Sequence, residues 1–390
     1  MSNGGGPRCR TVAADHNPGV PTAGAVLSAF HSPRRELWGT GVALRIDLPA
    51  PWPDHIDRVV ETLQAITTED LVDTAGSGPV AFGALPFDRS APATMVVPYV
   101  VHGRSVEGTR WLTTVEAGEA PAPPVAQGAH RAALTSVRVT THVTPEQWCD
   151  SVRRATARII AGELTKVVLA RRLDVVSDAD FDAGDLLARL RQAHPAALCF
   201  AVDGFVGASP ELLVSRVGDM VRAQPMAGTT PRTGEPEADQ RRAAELLASQ
   251  KNRTEHQITI DMVHDTLLRW CSFLDAEPSP SVVPAGPVQH LATVVEGRLS
   301  RPTPTVLDLV GALHPTPAVG GWPRDAVCEL IAELEATDRG RYAGPVGWVD
   351  SLWKRRVRRR NTFGSARRHP CTPVRRGRRR RRLGTRSRAG

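Results

Sequence analysis

The sequence predicts an α+β fold. Segments with the two-residue alternation of strands are mixed along the chain with segments that show the periodicity of helices. They do not follow the strict strand–helix–strand order of a doubly wound parallel sheet. No internal repeat is visible, which argues against a repeat architecture. The 390 residues are enough to bury a sizeable core, in one large domain or in two smaller ones.

The first third of the chain is predicted to be mainly β-structure. Residues 1–22 are rich in Gly and Pro and are predicted to be disordered. Apolar residues recur at helical spacing over 53–68, which predicts a helix there. The proline-rich segment 117–128 is predicted to be a loop and the best boundary between two lobes. Strands are predicted within 24–48 and over 79–86, 94–102 and 109–116.

The next helix has a clear start. Thr144 is followed by Pro145 and then by Gln147, which is the pattern of a capping box with proline at the first helical position. The helix is predicted to run to about 162. Beyond it the pattern predicts strands at 166–176, 197–207, 288–299 and 342–349, helices at 186–193, 306–313 and 324–335, and a proline loop at 275–287.

Between these elements, residues 207–256 form the stretch around which the chain is organised. A strand over 211–216 is predicted to turn at Gly218 and return over 220–225. A flexible, donor-rich loop is predicted over 228–234, and a long helix from 235 to about 270. One face of that helix is predicted to be buried, and it carries His256, Ile260, Val263 and Leu267. Glu255 lies one residue away from this stripe and is predicted to flank the buried face.

The excess of positive over negative charge is confined to the C-terminal 39 residues. The chain carries 49 Lys+Arg and 41 Asp+Glu, and residues 352–390 hold 17 of those bases and no acid. Residues 1–351 therefore carry 49 − 17 = 32 bases against 41 acids, a net charge of −9. The body of the chain is thus typical of an acidic soluble protein. An Arg-rich segment without a folded motif predicts only non-specific nucleic-acid binding.

The six cysteines are scattered without a C-x-x-C pair. This pattern argues against a zinc site and against a disulfide framework, and it favours a reducing compartment. No apolar run approaches the ~20 residues that span a bilayer. The N-terminus has no apolar region typical of a signal peptide. We therefore expect a cytoplasmic protein without a membrane anchor.

Seven motifs occur in a fixed order between 144 and 350. They are Lys166-Val-Val-Leu-Ala-Arg171, Ser209-Pro-Glu-Leu-Leu213, Pro225-Met-Ala-Gly-Thr229, Lys251-Asn-Arg-Thr-Glu-His256, Gln289-His-Leu291, His314-Pro-Thr-Pro-Ala-Val-Gly-Gly321 and Tyr342-Ala-Gly-Pro-Val-Gly-Trp348. In order and spacing they resemble the chorismate-utilising enzymes, most closely isochorismate synthase. The resemblance is thinner over the first 140 residues, where Phe82-Gly-Ala-Leu-Pro-Phe87 also fits.

The resemblance implies a fold and a reaction. The fold is one large chorismate-binding domain over 23–351, with stacked β-sheets flanked by helices, an N-terminal part at 23–128 and a motif-bearing part at 129–351. The reaction adds water to one ring carbon of chorismate while the C4 hydroxyl leaves. Relatives are often monomeric, so the resemblance implies a monomer. The expected partner is the small-molecule substrate, chorismate.

The resemblance also implies residue roles. Lys166 is the general base, Glu211 is the general acid, and Glu255 binds Mg²⁺, which holds the ring carboxylate. The residues implied to bind substrate are Gly228, Thr229, His290, Ala318, Val319 and Tyr342. A free lysine titrates near ~10.4, so its surroundings must favour the neutral amine if it is to act as a base. Glu211 must be shifted in the opposite direction to arrive protonated.

Each of these residues also has an ordinary structural interpretation. Lys166 is explained equally well as a solvated strand end, and Glu211 as the opening of an edge strand. Glu255 has the spacing of a surface ion pair with Lys251. His290 fits a core histidine bonded to a carbonyl, and the prolines after His314 could simply end a helix. Only the joint occurrence of the motifs favours the catalytic interpretation.

Three positions separate the branches of the family by resemblance. Enzymes that add ammonia to form anthranilate generally lack a lysine at position 166. Aminodeoxychorismate synthases often carry a lysine where this chain has Ala227. Salicylate-forming relatives tend to have threonine where this chain has Ala318, although loss of pyruvate stays open. Addition of water is therefore the favoured branch.

The resemblance stops after Ser351. Relatives continue through a strand that carries a substrate-binding arginine, then a helix with a second Mg²⁺ glutamate. Here 352–390 consists mainly of residues with GC-rich codons, such as arginine, glycine, proline and alanine. We expect a disordered segment that arises from a frameshift near codon 351, which sequencing of the locus would test. We also expect impaired activity, and a non-catalytic chorismate-binding remnant is an open alternative.

Overall fold

The computed structural model describes residues 6–15, 27–117 and 136–351. In the N-terminal part a short 3₁₀ helix (Trp52–His55) precedes helix α1 (Asp57–Ala65). The strands of this part are β1 (Arg8–Ala13), β2 (Leu27–Ser32), β3 (Arg35–Thr40), β4 (Leu44–Leu48), β5 (Thr67–Asp70), β6 (Val80–Ala84), β7 (Ala93–Val97), β8 (Val100–Arg104) and β9 (Arg110–Glu116).

The motif-bearing part contains the remaining elements. Its helices are α2 (Pro145–Ile160), α3 (Ala183–Ala193), α4 (Pro236–Ala248), α5 (Gln250–Leu268), α6 (Val306–Leu313) and α7 (Arg324–Leu334). Its strands are β10 (Val137–Thr141), β11 (Lys166–Val167), β12 (Leu173–Ser177), β13 (Leu198–Val202), β14 (Phe205–Ser209), β15 (Leu212–Val217), β16 (Met220–Gln224), β17 (Met226–Pro231), β18 (Cys271–Ala276), β19 (Ser281–Ala285), β20 (Val288–Ala292), β21 (Val295–Leu299), β22 (Gly321–Trp322) and β23 (Val346–Asp350).

The two parts of the chain share their sheets. An eight-stranded sheet has the order β14-β13-β2-β3-β8-β9-β1-β5, and a four-stranded sheet has the order β23-β6-β7-β4. In the first, Phe200 of β13 lies opposite Phe30 of β2, and in the second, Trp348 lies opposite Phe82. Because each of these sheets joins strands of the motif-bearing part to strands of the N-terminal part, residues 23–128 do not form a separate lobe. The predicted α+β fold with a single domain is confirmed.

Two further sheets carry the central stretch. A four-stranded sheet has the order β15-β16-β21-β18, and a three-stranded sheet has the order β17-β20-β19. Helix α5 packs against them, and its predicted stripe (His256, Ile260, Val263 and Leu267) is buried. This apolar face joins a core cluster with Val221 of β16 and Val295 of β21. Burial of the stripe fixes which way the polar neighbours of His256 face.

Local signals located the helix starts well. The Thr144 side chain accepts a hydrogen bond from the Gln147 N–H, and the Gln147 side chain bonds the Thr144 backbone, so the capping box is confirmed. Helix α6 begins with a second capping box, formed by Thr305 and Asp308. No helix within the described ranges is both long and apolar enough to span a bilayer.

Several predicted elements differ from the structure. Disorder over 1–22 is wrong for Arg8–Ala13, because this segment pairs with both β5 and β9. The helix predicted over 53–68 ends at Ala65, since the β-branched Thr67 and Thr68 join β1 in a parallel pair. The strand predicted over 166–176 is two separate strands, β11 and β12, which pair with different partners.

The central stretch is more regular than predicted. The loop predicted over 228–234 begins as strand β17, whose register shifts between Ala227 and Thr229. The long helix predicted from 235 breaks at Ser249, whose extended backbone starts α5 and whose hydroxyl accepts from the Asn252 N–H. The proline loop predicted over 275–287 contains strand β19. The predictions for 1–5, 16–22, 118–128 and 352–390 lie outside the described residues.

Candidate active site

Lys166 lies on the two-residue strand β11, which pairs with β22. In the antiparallel pair of β11 and β22, Lys166 lies opposite Trp322 and Val167 lies opposite Gly321. The Thr165 N–H donates to the Trp322 carbonyl at 2.9 Å. Gly321 has a φ of +137°, and a Cβ built on it would lie 2.1 Å from the Lys166 carbonyl oxygen. The close approach of these strands therefore requires glycine at 321.

We predict that Gly321→Ala destabilises the chain and displaces Lys166. The added methyl overlaps the Lys166 carbonyl at a backbone angle that alanine adopts only with strain, so we expect a loss of about 2–4 kcal/mol in the free energy of unfolding. Denaturant unfolding measures it. Gly320→Ala is the matched control, because its Cβ would meet its nearest neighbours at an ordinary 3.5 Å. Equal stability of the two variants would contradict the prediction.

The Lys166 amine is paired with a carboxylate. Lys166 Nζ lies 2.8 Å from Glu255 Oε1, and the two side chains are 14% and 35% exposed. Glu255 extends from α5 beside the buried His256. The alternative interpretation of Lys166 as a solvated strand end is therefore wrong. Glu255 of α5 forms its ion pair with Lys166 of β11, which is distant in the sequence.

Glu211 lies in the short link between β14 and β15. Its N–H donates to the Ser209 hydroxyl at 3.2 Å. Burial raises the pKa of the Glu211 carboxyl to about 7, against the opposing effects of a hydrogen bond from the Met226 N–H and the charge of Lys166. The charge of the Lys166 amine thus acts electrostatically on the Glu211 carboxyl. Near neutral pH about half of the Glu211 side chains would be protonated.

Gly228, Thr229 and His290 form a second group on β17 and β20. Thr229 lies opposite His290, and the Thr229 hydroxyl is 2.9 Å from His290 Nδ1. Burial lowers the pKa of His290, which favours the neutral ring, while a hydrogen bond to the Gly228 backbone opposes this. Gly228 has a φ of +76°, and a Cβ there would lie 3.2 Å from Asn252 on α5. This group therefore packs against the helix that carries Glu255.

Ala318, Val319 and Tyr342 lie in two turns near β11. The Thr316 carbonyl accepts from the Val319 N–H at 3.2 Å, and the Val168 N–H, two residues after Lys166, donates to the Gly320 carbonyl at 2.8 Å. This turn is thus bonded to the strand that carries the amine. Ala318 is half-buried, whereas Tyr342 is 61% exposed.

A cavity of about 1060 Å³ adjoins these turns. Glu211, Val319 and Tyr342 line it together with strands β14, β15 and β23. Lys166 and Glu255 are not among its lining residues, and neither are Gly228, Thr229, His290 and Ala318. Glu211 is the residue common to both regions, since it lines the cavity and its pKa responds to Lys166.

His256 lies within electrostatic reach of Lys166 and Glu255, although its helical spacing in the sequence indicated a core residue. It is buried, and its Nε2 lies 2.8 Å from the Thr293 hydroxyl. Burial and, to a smaller extent, the charge of Lys166 lower the pKa of His256 to about 4, against the opposing charge of Glu255. A neutral histidine therefore lies beside the ion pair. Its position next to Glu255 in the sequence was the only available signal.

The carboxylates were also tested as a metal site. Among the described residues, no group of three or more His, Cys, Asp or Glu side chains is arranged to hold a metal ion. Glu255 is a single carboxylate paired with Lys166. Mg²⁺ is often held by one or two carboxylates with water and substrate oxygens as the remaining ligands. The residues present could therefore fit Mg²⁺ only as a site shared with substrate.

Comparison with known proteins identifies the family. The family model described as "Chorismate binding enzyme" matches residues 30–354. The chain belongs to the chorismate-binding enzymes. The region matched includes the positions of all seven motifs. Several relatives of this family are similar over most of their length.

Two curated relatives and one solved structure show the extent of the similarity. A Mycobacterium tuberculosis protein named for isochorismate synthase MenF is 42% identical over 289 residues, which is 71% of this chain and 73% of its own. Isochorismate synthase DhbC of Bacillus subtilis is 36% identical over 337 residues, which is 82% of this chain and 79% of the relative. The structure of the menaquinone-specific isochorismate synthase MenF from Escherichia coli has a TM-score of 0.74 at 23% identity, covering 89% and 83%, and supports the fold.

Proposed function

We propose that this chorismate-binding enzyme converts chorismate to isochorismate. The observation that carries the proposal is a buried carboxyl within electrostatic reach of an amine: burial raises the pKa of Glu211 to about 7, and the charge of Lys166 opposes that shift. Acid–base catalysis near neutral pH needs such a carboxyl, because an ordinary glutamate would already be ionised. The relatives named as isochorismate synthases support the same reaction.

We assign opposite roles to the two groups. Lys166 accepts a proton from the water that attacks the ring, and Glu211 donates a proton to the C4 hydroxyl as it leaves as water. One water enters and one leaves, so the product is an isomer of the substrate. Lys166 Nζ is 2.8 Å from Glu255, so it must leave that ion pair and release its own proton before it can accept one from the attacking water.

We assign substrate contacts to the two groups that surround the pair. The backbone of Gly228 and Thr229 would present donors to the ring carboxylate, and the neutral His290 is held toward the same strand by Thr229. Val319 and Tyr342 would contact substrate from the cavity lined by Glu211. Ala318 precedes Val319 in the turn that bonds the Lys166 strand.

The experiment for this proposal is product identification. We expect chorismate with Mg²⁺ to yield isochorismate, at whatever rate, and we expect Lys166→Met and Glu211→Gln to abolish that product. Anthranilate formed in the presence of ammonium, or salicylate with pyruvate, would assign the chain to another branch of the family. Saturable chorismate binding without any product would indicate the non-catalytic remnant.

We extend the proposal to Mg²⁺, with Glu255 as a protein ligand. The bound cation would neutralise the ring carboxylate. Because the described residues offer no group of three or more side chains to hold a metal ion, we predict weak Mg²⁺ binding to the free chain and tighter binding with chorismate present. Isothermal titration with and without chorismate measures both. Glu255→Gln is expected to remove the difference, and equal affinity in the two titrations would contradict a shared site.

A further inference from the structure

A buried ion pair lies behind the Lys166 strand. Glu335, at the end of α7, and Arg339, in the turn that follows, are only 6% and 4% exposed. The guanidinium binds the carboxylate through two hydrogen bonds, Nε to Oε2 at 2.9 Å and Nη2 to Oε1 at 2.5 Å. It also stacks over the Phe87 ring, 4.3 Å from the centroid. This planar arrangement is specific to arginine.

The remaining polar atoms of the pair bond the backbone on both sides of the site. Arg339 Nη2 donates to the Val168 carbonyl at 2.7 Å, and Nη1 donates to the Val319 carbonyl at 2.9 Å. Glu335 Oε1 accepts from the Ala170 N–H at 2.7 Å. The pair therefore connects the segment that follows Lys166 to the turn that contains Val319.

The Lys166 strand needs such external support. β11 has only two residues, and among the strands of the described ranges it pairs with β22 alone, so few ladder bonds fix its position. Beyond it, residues 168–170 belong to no strand. Their backbone makes hydrogen bonds with the Glu335 carboxylate, the Arg339 guanidinium and the Gly320 carbonyl. A shift of the pair would move the base of the Lys166 side chain.

We propose that Glu335 and Arg339 are positioning residues for Lys166 and for the 316–320 turn. The catalytic meaning of that position rests on the proposed function, whereas the position itself does not. A buried ion pair frequently adds no net stability relative to apolar residues of similar volume. Its directional bonds to the backbone can, however, hold the strand in one place.

The double variant Glu335→Leu/Arg339→Met separates positioning from stability. It leaves no buried charge unpaired, so we expect it to fold with little change in the unfolding midpoint. It removes the bonds to Val168, Ala170 and Val319. We therefore expect Lys166 to become more mobile and more accessible, while the global fold persists.

Lysine reactivity reports this directly because the chain has only three lysines. Lys166 is 14% exposed, Lys251 is exposed and serves as the internal reference, and Lys354 lies outside the described residues. Trace acetylation followed by peptide mass spectrometry gives the ratio of labelling at Lys166 to that at Lys251. We expect this ratio to rise by about threefold or more in the double variant, as expected for easier local opening.

Two further variants complete the design. Arg339→Lys keeps the charge but cannot make the forked contacts, so an increased ratio is expected even if the double variant fails to fold. Glu333→Gln on α7, which removes an exposed ion pair with Arg154 of α2, is the matched control and should leave the ratio unchanged. A parental ratio in the folded double variant, or in Arg339→Lys, would overturn the proposal. Labelling does not require turnover, so an inactive parent would contradict only the proposed function.

Discussion

Replacing Glu211 by glutamine is expected to stabilise the chain at pH 8 and to leave its stability at pH 5 nearly unchanged. Burial raises the pKa of Glu211 from 4.5 to about 7, so the folded state binds more protons than the unfolded state between those values. Stability therefore falls as pH rises through this window. Glutamine carries no charge and keeps an oxygen for the Met226 N–H. The gain at pH 8 is expected to be about 2 kcal/mol.

The difference between variant and parent is the quantity to measure. Burial lowers the pKa of both His256 and His314 to about 4, so these residues bind more protons in the unfolded state and favour stability as pH rises from about 4 to 6.5. Their effect opposes that of Glu211 in the parent and cancels in the difference. Unfolding by urea at pH 5, 6, 7 and 8 gives the profile.

A matched variant tests whether the effect belongs to the site. Glu245 is exposed on α4, so Glu245→Gln should give no pH-dependent gain. A gain for Glu211→Gln that is the same at pH 5 and pH 8 would show that the carboxyl is ionised throughout this range. It would then be unsuitable as a proton donor near neutrality.

The sequence motifs singled out side chains that lie near one another in the structure, whereas several local elements around them were predicted wrongly. The motifs selected Lys166, Glu211 and Glu255, and the structure brings the first near both of the others. Helical periodicity placed the buried face of α5 correctly because burial of apolar side chains acts over the whole helix. The break at Ser249 was missed because one extended residue changes this periodicity very little.

Strand pairing caused the other errors. Arg8–Ala13 has a loop-like neighbourhood in the sequence, and only its long-range pairing with β9 makes it a strand. Gly228 looked like part of a flexible loop, whereas it is the bulge that brings β17 against Asn252. The buried pair of Glu335 and Arg339 could not be recognised either, since an i,i+4 pair of opposite charges usually lies on a helix surface.

Turnover of chorismate by this chain is expected to be at least about 100-fold slower than that of the Bacillus subtilis DhbC relative, because positioned charges of this kind contribute that much. Residues 352–390 contain no Asp or Glu, so they cannot supply the second metal carboxylate that the family resemblance implies. Within the described residues, β14, β15 and β23 each end their sheet, and all three border the cavity that Glu211 lines.

Steady-state rates for both proteins, at the same Mg²⁺ concentration, test this prediction. The informative addition is a chimera in which the segment after Ser351 is replaced by the corresponding segment of the relative. If strands and carboxylates are what 352–390 fails to provide, the chimera should regain most of the lost rate, and Lys166→Met should abolish the gain. A parent rate within about tenfold of the relative, equivalent to 1.4 kcal/mol in barrier height, would show that Lys166, Glu211 and Glu255 suffice.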